Sequence, residues 1–320
     1  MGRITAKGLQ GVWAALPMCW DGNWGFDEEA YAGNVERTIA GAGVQGVYTT
    51  GSTGEFYAIK YEEFCRMVDI QAELCGKAGM LLQIGCCSDA TRKTIRLLEY
   101  AASKREVGGA QVCVPYWMEL TDREVVQFFK DVHTACPDMP LIHYNIMRTK
   151  RFLHGEDYLR ILEVSPNLVG VKYTAAGENF TSLEHDISMT PDITYFVGET
   201  LLPSGMQIGA RGCYSSLVLM NPPVITEMYR KAKGGEWKEA FAMQRHVSLF
   251  LYDLVDFVTG RGEGMMDPVA DKGMAAAAGF LALHQRTRPP YIGWTDETVT
   301  ALRAWLKERY PRFVYGTSVD

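Results

Sequence analysis

The strongest constraint on this chain is a regular alternation of short β-type runs with amphipathic stretches. Apolar, β-branched or aromatic runs fall at residues 11–16, 44–50, 80–85, 110–114, 141–144, 168–173, 193–197 and 212–216. Between them, residues 27–42, 61–76, 89–107, 122–135 and 155–164 carry apolar side chains at helical spacing. Asp27, Asp89 and Thr121 stand where N-caps belong. Strands alternating with helices imply a parallel sheet. Eight such units in about 220 residues imply a closed α/β architecture, a (β/α)8 TIM barrel, rather than an open doubly wound sheet. A dinucleotide-binding sheet would carry GxGxxG after its first strand, and this chain has no such turn there.

The pattern changes after Ser216. Residues 223–233, 237–259, 268–284 and 295–310 read as successive helices, with Arg288-Pro289-Pro290-Tyr291 as the connector into the last. The expected division is therefore a catalytic barrel over 1–221 and a C-terminal helical extension over 222–320, packed on the barrel. The long apolar faces of the extension also suit a subunit interface.

With 47% hydrophobic and 22% charged residues among 320, the chain has an ordinary globular composition. A net charge of −6 leaves no basic excess to neutralise phosphates, so no nucleic-acid partner is expected. No run reaches the roughly 20 apolar residues that span a bilayer, so no membrane partner is expected either. The eight cysteines show no CxxC and no framework spacing, and read as reduced thiols of a cytoplasmic protein. His133, His143 and His154 lack metal-ligand spacing, so no metal is expected.

In such a barrel the chemistry sits at the C-terminal ends of the strands. Lys172 ends the apolar run Leu168-Val169-Gly170-Val171. An ammonium held against an apolar strand loses hydration, which favours the neutral amine, a nucleophile able to form a Schiff base with a ketone. The alternative is a lysine that marks where a strand emerges into solvent. The second strand is followed by Gly51-Ser52-Thr53-Gly54-Glu55, a turn whose hydroxyls and backbone N–H groups can converge on a carboxylate. The fifth ends in Tyr144-Asn145, the seventh in Gly198-Glu199 and the eighth in Tyr214-Ser215-Ser216. An amine nucleophile, a phenol and an anion-binding turn suit Schiff-base chemistry on a 2-oxo acid with no further cofactor.

These motifs, GSTGE at 51–55, YN at 144–145, GVKYT at 170–174 and GARGCYSS at 209–216, in this order, resemble the dihydrodipicolinate synthase and N-acetylneuraminate lyase family of pyruvate-dependent class I aldolases. The resemblance spans nearly the whole chain. It implies that Lys172 forms the Schiff base with pyruvate, that Tyr144 shuttles protons, and that Ser52 and Thr53, with Gly51, bind the pyruvate carboxylate. The backbone carbonyl of Tyr214 and the nearby Gly198 would line the same pocket. A homo-oligomer, tetrameric by resemblance, is implied, with enamine attack on an aldehyde or the reverse cleavage as the reaction.

Departures bear on the second substrate. Trp117 stands where the synthase has a second tyrosine after Pro115, and Arg148 falls four residues after Tyr144 where the synthase pattern has five. Thr200-Leu201 follow Glu199 where sialic acid lyases carry acidic residues. Pro115-Tyr116-Trp117 and Lys172-Tyr173 are more similar to hydratase-aldolases that cut arylidene pyruvates, with Trp117, Tyr116, Phe56 and Tyr57 as an aromatic wall. The expectation is a lyase acting between pyruvate and an aromatic or apolar aldehyde, with Arg148 and Trp117 binding substrate. The synthase reaction, a 2-keto-3-deoxy sugar acid aldolase or dehydratase, and a non-catalytic 2-oxo-acid-binding barrel are the alternatives.

Overall fold

The computed structural model describes residues 2–174 and 178–319. Eight strands close into a barrel in sequence order: β1 (Gly11–Leu16), β2 (Gly46–Thr49), β3 (Leu81–Gly85), β4 (Gly109–Val112), β5 (Leu141–Ile146), β6 (Leu168–Thr174), β7 (Thr194–Gly198) and β8 (Gly212–Ser215). Each strand pairs in parallel with the next, and β8 closes on β1 through Gly11–Gly212 and Trp13–Tyr214. The helices around it are α1 (Glu28–Gly41), α2 (Tyr61–Ala78), α3 (Thr91–Ala102), α4 (Asp122–Ala135), α5 (Gly155–Leu162), α6 (Glu178–Thr181), α7 (Leu183–Met189) and α8 (Leu202–Gln207). Helices α9 (Pro223–Lys233), α10 (Trp237–Thr259), α11 (Val269–Ala278) and α12 (Asp296–Arg309) follow.

The caps explain several boundaries. The Asp27 carboxylate accepts from Ala30 N at 3.0 Å, and Thr121 and Glu124 form a capping box at the start of α4. Asp89 does not cap α3; it pairs with Lys93 at 2.9 Å, and Ala90 takes the cap position in extended backbone. Helix α11 stops at Gly279, whose φ of +88° is the left-handed cap, well short of residue 284. The turns α6 to α8 are too short to show a helical period in the sequence.

Two apolar layers result. One lies between the strands and the helices and holds most of the core. The other fills the barrel itself, with Leu9, Trp13, Tyr48, Ile142, Phe196 and Tyr214 packed together. Gln83 and Gln111 share that interior; Gln111 Nε2 and the Tyr214 hydroxyl both donate to Gln83 Oε1, at 3.1 and 2.7 Å.

The C-terminal helices are tied to the barrel by polar contacts as well as packing. Arg37 Nη1 donates to Phe280 O at 3.1 Å, and Asn34 Nδ2 to Ala282 O at 3.0 Å. Lys272, on α11, reaches Glu55 of the turn after β2.

Candidate active site

Register places the central pair. Strand β5 sets Tyr144 opposite Lys172 of β6. Side chains alternate along a strand, so paired residues project to one side, here into the barrel mouth, while Tyr173 points outward to the helices and donates to Asp186 Oδ2 at 2.8 Å. The Lys172 ammonium is enclosed by rings: 4.0 Å from the centroid of Tyr144, 5.2 Å from Tyr48 and 5.4 Å from Tyr214. Burial pushes its pKa down to about 8, against the opposing pull of the Asp267 and Glu199 carboxylates. A lysine so held keeps a usable fraction of neutral amine near pH 7.

Tyr144 is buried, and its hydroxyl lies 3.2 Å from Ser52 Oγ. Burial raises its pKa well above the ordinary phenol value. Ser52 also accepts from Arg148 Nη1 at 3.0 Å. The turn that carries Ser52 is backbone-strained: Thr50 and Glu55 adopt φ of +58° and +51°. Thr50 Oγ1 holds its end of the turn by donating to Gly85 O at 2.6 Å. Gly51 lies against the Tyr48 hydroxyl, leaving no room for a Cβ.

The pocket beside this group has a volume of about 370 Å³. Ser52, Tyr144 and Arg148 line it, as do Phe56, Tyr57, Tyr116 and Ile146. Phe56 meets Tyr57 and Tyr116 edge to face, with centroids 6.0 and 5.9 Å apart. Lys172 stands behind the Tyr144 ring with the inward-facing Tyr214, whose strand neighbour is Gly198.

Of the expected residues, Ser52, Tyr144 and Arg148 line this pocket, Gly51, Lys172, Gly198 and Tyr214 lie just outside its wall, and two more turn away from it. Trp117 is 76% exposed and outside the pocket wall. The chain bends at Trp117, beyond the end of β4, so Tyr116 meets the pocket while the Trp117 ring stands outside it near Lys150 Nζ, 5.8 Å from its centroid. Thr53 turns its hydroxyl away from the pocket to donate to Asp271 Oδ2 at 2.6 Å.

The C-terminal segment supplies what the strand-end reading missed. Met266, Asp267 and Tyr291 line the pocket, and Asp267 Oδ2 accepts from Arg148 Nη1 at 3.1 Å. Asp271 is buried beside them, and desolvation with the nearby Asp267 charge pushes its pKa up to about 7. Glu199 accepts from Ser215 Oγ and the N–H groups of Ser216 and Leu217, each at 3.2 Å, and burial raises its pKa. The signal was present in the sequence: Asp267, Asp271 and Lys272 are charges at the head of an otherwise alanine-rich apolar helix. The histidines serve structure. His143 Nδ1 pairs with the Tyr158 hydroxyl at 2.9 Å, and burial pushes its pKa down to about 3. Among the described residues, no group of three or more His, Cys, Asp or Glu side chains is placed to hold a metal.

A closed barrel with a desolvated lysine and a neighbouring phenol at its strand ends defines a lyase of the Schiff-base aldolase type. The chain belongs to the dihydrodipicolinate synthetase family, whose model matches residues 8–309, and it is a pyruvate-dependent class I aldolase or lyase. It is 29% identical to the 4-hydroxy-tetrahydrodipicolinate synthase of Ehrlichia canis over 304 residues, covering 94% of this chain and 97% of that one. Among solved structures, a prophage protein of the dihydrodipicolinic acid synthase family from E. coli K12, in complex with pyruvate, superposes with a TM-score of 0.83 at 19% identity, covering 94% and 98% of the two chains. A catalytic lysine mutant of the Ruminococcus gnavus sialic acid aldolase gives 0.83 at 19%, covering 98% and 100%.

Proposed function

We propose that Lys172 forms the Schiff base with pyruvate and that the partner is an aromatic or apolar aldehyde, made or released at the pocket beside Tyr144. The observation that carries this reading is the setting of Lys172 at the end of β6, desolvated among three tyrosine rings with its pKa pushed to about 8. The neutral amine adds to the ketone carbon of pyruvate, and loss of water leaves the imine. Removal of a methyl proton gives the enamine, whose carbon attacks the aldehyde carbonyl; the reverse sequence cleaves that bond. Tyr144, hydrogen-bonded to Ser52, is the group placed to move protons between these steps. Ser52 and the N–H groups of the 51–55 turn receive the pyruvate carboxylate. Phe56, Tyr57, Tyr116 and Tyr291 supply the wall for the apolar partner.

A second reading, the synthase reaction itself, is favoured by the naming of the Ehrlichia canis relative and by Arg148 in the pocket wall as a carboxylate anchor. Residues 222–320 serve as an extension of the barrel over 1–221, a homo-oligomer is the assembly, and the cytoplasm is the compartment suited to eight unpaired cysteines. Among the described residues no helix is long and apolar enough to cross a membrane.

The test is intact mass after incubation with pyruvate and borohydride, followed by peptide mapping. The expected result is a pyruvyl-derived increment on Lys172, absent in Lys172→Ala. Trapping that persists in the alanine variant overturns the assignment. Condensation with a panel of aldehydes then separates the two readings.

A further inference from the structure

Arg148 is the one cationic side chain in the described wall of the pocket, and its charge is already matched. Its Nη1 donates at once to Ser52 Oγ at 3.0 Å and to Asp267 Oδ2 at 3.1 Å. Asp267 comes from the C-terminal segment, just ahead of α11, and reaches Arg148 across 119 residues of chain. Most of the remaining wall is apolar or aromatic, with Phe56, Ile146, Met266, Tyr57, Tyr116 and Tyr291 beside Tyr144 and Thr149. Two further carboxyl groups, Asp271 and Glu199, lie close enough to act on the Lys172 ammonium. An aldehyde with its own carboxylate therefore meets an arginine with no net charge to offer, and a neighbouring aspartate that repels it.

We propose that Asp267 sets the charge specificity of this site: by holding Arg148 it rejects aldehydes that carry a carboxylate and reserves the pocket for neutral apolar or aromatic ones. The inference rests on the Schiff-base reading of Lys172 and names the class of its second substrate. It concerns selection among substrates, since Asp267 acts through Arg148 and the local field. Both partners are partly exposed, with side-chain exposures of 43% for Arg148 and 38% for Asp267, so the discrimination responds to salt.

The experiment compares benzaldehyde with 4-carboxybenzaldehyde, rings of one shape that differ by a charge, as acceptors for pyruvate. Values of kcat/KM are measured for wild type and Asp267→Asn at low and at high salt. Wild type is expected to prefer benzaldehyde, with the preference narrowing as salt rises. Asp267→Asn frees Arg148, and the ratio moves toward 4-carboxybenzaldehyde by about tenfold, the scale of one modest charge contact. An unchanged ratio in the variant, or a change confined to the KM of pyruvate, overturns the proposal. Wild-type preference for the carboxylated ring, or turnover of neither aldehyde, also overturns it. Should the variant fail to fold, the salt dependence of the wild-type ratio decides alone: a preference for benzaldehyde that does not narrow rejects the charge filter. Borohydride trapping of pyruvate on wild-type Lys172 is scored separately. An adduct without charge discrimination rejects only the role of Asp267, whereas no adduct rejects the Schiff-base reading beneath it.

Discussion

Lys272 and Glu55, 217 residues apart in the chain, form an ion pair with both side chains fully buried. The carboxylate is otherwise satisfied by Trp20 Nε1 and by the N–H of Arg288, each at 2.8 Å, and Lys272 also donates to Arg286 O at 2.7 Å. Every donor aimed at this carboxylate is thus used to hold the left-handed end of the 51–55 turn. The C-terminal extension therefore helps to fix the loop that carries Ser52, and its removal would leave the Glu55 carboxylate with Trp20 Nε1 but without Lys272 and the Arg288 N–H.

Breaking this pair from one side should be costly. Lys272→Met strands a carboxylate in the interior, and a lone buried charge of this kind costs about 3–5 kcal/mol. Lys272→Met is expected to lower the thermal unfolding midpoint sharply, and Lys272→Met combined with Glu55→Gln to recover part of the loss. Equal midpoints for wild type and the single variant, measured by circular dichroism, would show that the pair does not hold the turn.

Adduct formation should follow the ionisation of Lys172. With its pKa lowered to about 8, roughly a tenth of the amine is neutral at pH 7 and most of it at pH 9. An ordinary lysine, near 10.5, would leave only about one in three thousand neutral at pH 7. The rate of borohydride-trapped adduct formation is therefore expected to climb with pH through about 8 and level above it. Asp267 opposes the shift by stabilising the ammonium, so Asp267→Asn should move the midpoint to lower pH. A midpoint near 10 in wild type would mean that the amine is not desolvated in solution.

Tyr144→Phe should separate binding from turnover. The substitution keeps the ring that packs on Lys172 and removes the hydroxyl that meets Ser52. Pyruvate adduct formation is expected to persist, while kcat for condensation falls by about 10²–10⁴, the usual range for one proton-transfer group. Single-turnover and steady-state rates measure this, and an unchanged kcat would assign the proton transfers to another group.

The barrel was legible because it rests on periodicity. Burial on both faces makes parallel strands continuous apolar runs, and each of the eight runs contains most of an observed strand. Lys172, Tyr144 and Ser52, which the structure brings together, could be picked out as candidates because strand ends are where a barrel places chemistry. Asp267 and Asp271 showed only as charges at the head of an alanine-rich helix, and Tyr291 only as part of a connector, since they arrive from a segment that follows the barrel in the chain, and no periodicity reports which strand end a distant helix covers. Pattern places Tyr116 and Trp117 together beyond one strand end, but the chain bends at Trp117, so Tyr116 lines the pocket and Trp117 is exposed.

The outer face of α10 bears on assembly. Leu249, Tyr252 and Val255 recur every third residue along it and are 53%, 73% and 41% exposed. Scattered exposed apolar side chains are common, but a row of three on one helix face is the kind of surface that a subunit contact covers. Replacing Leu249 and Tyr252 together by Glu would place two like charges in such a contact, where desolvation makes them costly. Analytical ultracentrifugation is expected to show wild type as an oligomer and the double variant as a smaller species. Lys172 trapping should be retained in both, because neither residue lines the pocket. An oligomer of unchanged mass would place the subunit contact on another face, and a wild-type monomer would remove the assembly altogether.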